Sequence, residues 1–189
     1  MTVNLLQAVQ ENLGYPPLHK VDANTEKIIA DEKNPEEDRF SQSAIPAVLT
    51  AFFTYSRTDE GAEAILHSQL TNGWANFIFG DHKSGIVKSI ADYSDHRTED
   101  ALKKINSVAS ETVRVIRQQV TASGEIEDVK NLLAHSQQDV LLYLPAALRV
   151  GKLLYDDTLD DKTHKMEGPV SSLMHSIGGS FAGSGNDKV

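Results

Sequence analysis

The residues with the strongest claim to chemistry lie late in the chain, in Asp156-Asp157-Thr158-Leu159-Asp160-Asp161. Carboxylates four apart share one face of a helix, and together they offer the oxygen set that a hard divalent cation takes. The chemistry implied is a hard divalent cation such as magnesium held by carboxylate oxygens. His164 follows Asp160 by four residues and offers a nitrogen ligand beside an oxygen one, as a transition metal would use, but two ligands do not make a site. The competing reading of residues 156–161 is an acidic turn solvated by its own charges.

Other constellations are thinner. The chain has seven histidines. His82 and His96 flank one short apolar stretch with Asp81, Asp92 and Asp95 nearby, on loops whose separation the sequence does not give. Nucleophilic hydrolysis has no support, because no Gly-x-Ser-x-Gly elbow exists and Gly183-Ser184-Gly185 has no strand before it. Gly178-Gly179-Ser180-Phe181-Ala182-Gly183 lacks the Lys-Ser/Thr that completes a phosphate-binding loop. Trp74-Ala75-Asn76-Phe77-Ile78-Phe79 is the densest aromatic cluster, either core or an anchor for a partner. No residue is therefore assigned as catalytic, cofactor-binding or metal-binding, and no cofactor is expected.

Composition narrows the classes further. The chain of 189 residues can bury one sizeable core, and its 40% hydrophobic and 24% charged residues are ordinary for a globular protein. Aromatics are only 6%, so packing must rest on Leu, Ile, Val and Ala. A formal charge of −9 repels phosphate backbones and argues against nucleic acid as a partner. Zero cysteines exclude disulfides and thiolate chemistry and fit a reducing compartment. Residues 1–13 lack the pattern of a signal peptide. The longest uncharged apolar stretches, residues 44–55 and 140–148, fall short of the roughly 18 residues a membrane span needs. The expectation is a cytoplasmic protein with no integral membrane segment.

The elements that must position any site are helical. Ala101, Leu102, Ile105, Val108, Ala109, Thr112, Val113, Ile116 and Val120 recur at spacings of three and four. They predict the longest helix, capped by Thr98 and stopped by Ser123-Gly124, with Lys103, Lys104, Arg114 and Arg117 turned to solvent. Leu5, Leu6, Val9 and Leu13 predict a short helix ended by Gly14 and Pro16-Pro17, and Ile28-Ile29 a second. The polar run 31–39 reads as a loop and helix start. Residues 45–55 read as an apolar helix opened by Pro46 at its first turn. Ala62, Ile65, Leu66 and Leu70 mark the next amphipathic stretch, and Ile86, Val87, Ile90 and Tyr93 another.

Further on, Ser136 and Asp139 have the spacing of a capping box ahead of an apolar run that could reach Tyr155. Pro145 either kinks that helix or starts a new one. Val170, Leu173, Met174 and Ile177 predict a last short helix before a disordered tail, residues 181–189. No segment alternates with period two, so strands are not expected. The predicted core is Ile45, Leu49, Phe52, Leu66, Phe77, Ile90, Leu102, Ile105, Val108, Ile116, Leu144, Leu148 and Leu173.

An internal echo organises these helices. A shift of 99 residues lays Pro46 on Pro145, Ala47 on Ala146, Leu49 on Leu148, Ile78 on Ile177 and Gly80 on Gly179. It predicts one all-α domain over residues 1–180, with pseudo-repeated halves, 1–97 and 98–180, joined by the long helix.

Ile78-Phe79-Gly80-Asp81, Ile86-Val87, Ile90-Ala91, Tyr93 and the long apolar stripe resemble the second part of the bacterial YidB-like domain of unknown function. Ala44-Ile45-Pro46-Ala47-Val48-Leu49 with Gly61-Ala62 and Ile65-Leu66 resembles the part before it, so the likeness covers about residues 40–120. The chain carries Ser94-Asp95 where members often have a glycine after the tyrosine, and Ala109-Ser110 where they often have Ala-Pro. The resemblance implies an all-helical fold and transfers no catalytic residue.

Three roles follow as expectations. One is a non-catalytic module or scaffold that binds a protein partner or itself. The second is a magnesium-dependent helical enzyme acting on a diphosphate through residues 156–161. The acid order there is that of helical prenyl-transferring enzymes, which are considerably longer and need a second acidic motif that this chain lacks. The third is a peripheral envelope protein touching lipid through residues 170–177, beside which Lys162 and Lys165 supply little positive charge.

Overall fold

The computed structural model describes residues 4–21, 35–68, 70, 73–120 and 124–148. They form an all-α fold in which two long helices carry the core: α2 (Pro35–Tyr55) and α6 (Thr98–Gln119). Shorter helices surround them: α1 (Leu5–Asn12), α3 (Asp59–His67), α4 (Ala75–Phe79), α5 (Lys83–Tyr93) and α7 (Ile126–Leu141). Gly80–His82 and Ala146–Leu148 are single 3-10 turns. No strand occurs among the described residues.

The amphipathic stripe of α6 buries Ala101, Ile105, Val108, Ala109, Thr112, Val113, Val115 and Ile116 against α1 to α5. It is the longest helix among the described residues, as its spacing predicts. Arg97 rather than Thr98 occupies the cap position, in extended geometry, and the helix ends at Gln119 with Val120 extended, before the expected stop.

Helix α2 departs most from expectation. It begins at Pro35, where the missing N–H is no loss, and runs through Pro46 instead of starting there. An interior proline removes one ladder hydrogen bond and crowds the carbonyl of Gln42, a cost of roughly 3 kcal/mol. Burial outweighs it, because α2 is enclosed by α1, α4, α5, α6 and α7, and Phe40, Ala44, Ile45, Ala47, Val48, Leu49, Ala51 and Phe52 are all buried. Three of its buried polar residues, Ser41, Gln42 and Ser43, turn inward to bonds within the fold. Ser41 and Ser43 hydroxyls donate to the carbonyls of Asp38 and Phe40, three residues back. Gln42 binds both the N–H and the carbonyl of His19 and donates to the Tyr143 carbonyl at 2.7 Å, fastening two irregular segments to the central helix.

The expected capping box at Ser136 and Asp139 is corrected. Both residues lie inside α7, where Ser136 Oγ donates back to the Leu132 carbonyl. The box is formed earlier, by Glu125 and Asp128, each side chain accepting from the other's backbone N–H. Pro145 follows the end of α7 and precedes a 3-10 turn. The two copies of the apolar hexad therefore differ locally: residues 44–49 are mid-helix, whereas residues 143–148 form a turn and a 3-10 segment.

Of the predicted core, Ile45, Leu49, Phe52, Ile90, Ile105, Val108, Ile116 and Leu148 are buried, and Leu66, Leu102 and Leu144 are partly so. Phe77 is not core, since 43% of it is exposed. Leu173 and Ile28-Ile29 lie outside the described residues.

Candidate functional site

Titratable side chains converge where the start of α2, the α5–α6 turn and α6 meet. The turn is shaped by its backbone. Helix α5 ends at Ser94, whose hydroxyl and N–H both bond the Ile90 carbonyl. Asp95 takes φ +56°, a left-handed geometry that aspartate tolerates better than most residues, and the His96 N–H then reaches back to the Ala91 carbonyl at 3.0 Å. This closing motif delivers the His96 ring to the face of α2.

Its environment fixes the ring's proton. Lys104 Nζ lies 2.9 Å from His96 Nε2, and an ammonium has donors but no lone pair, so Nε2 must accept. Nδ1 lies 2.8 Å from the Ser94 carbonyl, which only accepts, so Nδ1 carries the hydrogen. Both ring nitrogens are engaged. Lys104 also pairs with Glu37 in the first turn of α2, and it stands 5.3 Å from the centre of the buried Phe40 ring. Phe40 packs between His96 and Tyr15, with ring centres 5.3 and 5.9 Å away. Arg39 and Asp95 close the outer edge at 2.7 Å. Burial, with a smaller contribution from the Glu37 carboxylate, pushes the Tyr15 phenol up to about 12. Neither ring nitrogen of His96 is open to a substrate, so the cluster acts as a clamp between helices.

An open cleft of about 510 Å³ separates α3 from the start of α7 and is lined by Asp59, Glu63, His67, Glu125 and Glu127 beside Leu66 and Ile126. Much of its charge is already committed. Asp59 pairs with Lys130, whose ammonium it holds above the ordinary lysine range, and Glu125 serves the capping box. Among the described residues no three His, Asp or Glu side chains are grouped to hold a metal ion.

The aromatic cluster divides between core and surface. Trp74 is buried and tilted against Phe52 at 5.6 Å, while Phe77 stands edge-on to Trp74 at 6.4 Å and projects outward. Asn76 and Lys83 bond each other at 2.8 Å on the same small helix and its successor.

The chain matches no family model, no curated protein and no solved structure.

Residues 156–161, His164, residues 170–177 and the glycine-rich segment 178–183 lie outside the described residues. His82 and His96 stand at opposite ends of α5, an 11-residue helix about 16 Å long, and are not brought together. Lys103 and Arg114 face solvent as expected, but Lys104 and Arg117 do not: each is half-buried and bonded across helices. Sequence spacing missed Glu37, Phe40 and Lys104 as a unit, because Glu37 and Lys104 are 67 residues apart and meet only through the packing of α2 on α6. Among the described residues no helix is long and apolar enough to cross a membrane.

Proposed function

We propose that this chain is a non-catalytic helical module that works by binding protein, with Phe77 as the anchor of the contact. The observation that carries the reading is an exposed phenylalanine backed edge-on by the buried Trp74, itself set against Phe52. A surface aromatic held by core aromatics has little freedom left to lose on binding, and such residues dominate interface energetics. The polar Asn76–Lys83 pair beside it supplies a rim. On this reading the protein is a bacterial scaffold acting in the cytoplasm, allied to the YidB-like domain by the segments at residues 40–120. The partner is another protein or a second copy.

A photoreactive phenylalanine analogue at position 77 of the full chain, irradiated in the cell, tests this. One mass-identified adduct, absent when the analogue sits at the exposed position Lys88, is expected. Equal or no crosslinking from the two positions overturns the reading. Sedimentation velocity then separates the two kinds of partner, since self-association gives a concentration-dependent dimer that Phe77→Ser abolishes.

A further inference from the structure

We propose that the cleft between α3 and α7 receives Phe77 of a second copy of this chain, with Lys83 beside it, so that copies associate head to tail. The inference rests on the reading of Phe77 as an anchor and adds what that anchor enters.

The cleft suits an aromatic side chain accompanied by a cation. Leu66 of α3 and Ile126 of α7 give it apolar wall from both helices, and its open space of about 510 Å³ is ample for one phenylalanine side chain. Glu63 and Glu127 add exposed carboxylates to the lining. Positive charge there is short. Lys130 is bonded to Asp59 and also lies in the fields of Glu127 and Glu60, which together hold its ammonium above the ordinary lysine range. One ammonium set against three carboxylates leaves the cleft negative.

The complementary surface is on the same chain. Phe77 projects outward, and the Lys83 ammonium beside it bonds the Asn76 amide oxygen at 2.8 Å, a neutral acceptor that leaves the positive charge uncancelled. An aromatic edge that carries a lysine matches an apolar cleft that carries carboxylates, in shape and in sign.

One chain does not bring the two surfaces together. Asn106 of α6 accepts from the Ala75 N–H and so fixes the start of α4, whereas Arg117 of α6 donates to the carbonyls of Ile65 and Ser68 at the end of α3. Those two points on α6 are about three turns, or roughly 16 Å, apart. Anchor and cleft are therefore separate patches. A contact between unlike patches leaves one anchor and one cleft unfilled after two copies have joined, and a third copy adds in the same way until a ring closes or a filament grows. The dimer is the first member of a series.

The experiment is sedimentation velocity of the full chain over a range of concentrations, on wild type and on two complementary variants. Phe77→Ser keeps the cleft and loses the anchor. Glu63→Lys combined with Glu127→Lys keeps the anchor and reverses the cleft; should that chain fail to fold, Glu63→Lys alone takes its place. Wild type is expected to grow past the dimer as concentration rises. Each variant alone is expected to associate at least roughly thirtyfold more weakly, the loss that removal of an interface anchor brings. An equimolar mixture restores one anchor facing one cleft, so it is expected to give a dimer of one chain of each kind that grows no further. A wild type that stays monomeric overturns the proposal, as does a cleft-reversed variant that still self-associates, or a mixture that forms no mixed dimer.

The photoreactive analogue at position 77 separates this inference from the reading beneath it. An adduct between two copies, mapped within residues 59–67 or 124–130 of the second, is expected. An adduct elsewhere on the second copy, or with a different protein, overturns the head-to-tail contact and leaves Phe77 as an anchor. Equal or no crosslinking from positions 77 and 88 overturns both.

Discussion

Arg117 of α6 donates from Nε to the carbonyl of Ile65 at 2.7 Å, and its Nη2 reaches the carbonyl of Ser68 at 2.7 Å. Both acceptors belong to the last turn and cap of α3, where a helix leaves carbonyls without partners and favours a cation. One guanidinium thus ends one helix and ties it to another, and its burial lowers its pKa from the ordinary arginine value.

Arg117→Met is expected to cost about 2 kcal/mol, since two charge-assisted bonds go and both carbonyls lose their partner. In a chain of this size that is a fall of about 4–8 °C in Tm. Arg117→Lys recovers only part of it, because one ammonium cannot span the fork. Lys103→Met, at a site 79% exposed, is the control and shifts Tm by less than about 2 °C. Equal effects at the two positions would show the fork to be ornamental.

Gly61 tests how closely α3 follows α2. A methyl group there would lie 1.9 Å from the Tyr55 carbonyl oxygen and 2.9 Å from its carbon, so backbone, not a yielding side chain, blocks it. Gly61→Ala is expected to cost about 3 kcal/mol by forcing the two helices apart, seen as a lower urea midpoint. Gly14→Ala meets nothing within 4 Å and suffers only from φ +71°, at roughly 1–2 kcal/mol. A smaller loss at Gly61 than at Gly14 would contradict the close approach.

What could be read from the sequence follows from how each element meets water. Helix α6 was legible because one face is buried and the other wet, which writes a period into the chain. Helix α2 was not, because it is enclosed on several sides: Asp38, Ser41, Gln42, Ser43 and Thr50 look like solvated residues and are buried. Pro46 then invoked a local rule, the helix opener, that tertiary burial overrode. The start of α7 was hidden because its box uses Glu125 and Asp128 in place of the usual Ser or Thr with Glu. For the site, the sequence places His82 and His96 on either side of one short stretch, which is α5, and says nothing of what either ring touches. The partners of His96, Lys104 and through it Glu37, are contacts of packing, and no local pattern announces them.

Glu111 ties α1 to α6 and makes an acid-side prediction. Its Oε1 accepts from Asn12 Nδ2 at 2.8 Å and its Oε2 from Arg114 Nε at 2.8 Å. The bonds from Arg114 hold its carboxyl below the ordinary value of 4.5, against a smaller opposing effect of burial, and Asn12 adds to the lowering. The unfolded carboxyl therefore takes its proton first as pH falls. Stability from this group is complete above the ordinary value and is lost as pH drops through the lowered one. Glu111→Gln is expected to cost roughly 1 kcal/mol at pH 7, or about 2–4 °C in Tm. The gap to wild type should narrow as pH falls through the lowered folded value, because the wild-type side chain then also becomes neutral. A gap that persists undiminished in acid would mean that shape, not charge, holds α1 in place.

Tyr15 makes the alkaline counterpart. Its phenol is raised from 10.0 to about 12, first by burial and then by the Glu37 carboxylate, so the fold favours the neutral form. The sign is opposite to that of Glu111: the contribution is complete below pH 10, begins to fall as unfolded phenols ionise, and is gone once pH passes the folded value near 12. Absorbance at 295 nm should show Tyr15 ionising well after the exposed phenols, beside Tyr55, which burial also raises, and Tyr15→Phe should shrink the late ionisation by one phenol. The same variant should lose less stability than wild type between pH 10 and pH 12, because it has no proton to release on unfolding. Glu37→Gln removes the lesser cause and should bring the late step earlier while leaving it later than an exposed phenol. If Tyr15 ionised together with the exposed phenols, the packing of Tyr15 against Phe40 at the start of α2 would be looser than the 5.9 Å ring contact requires.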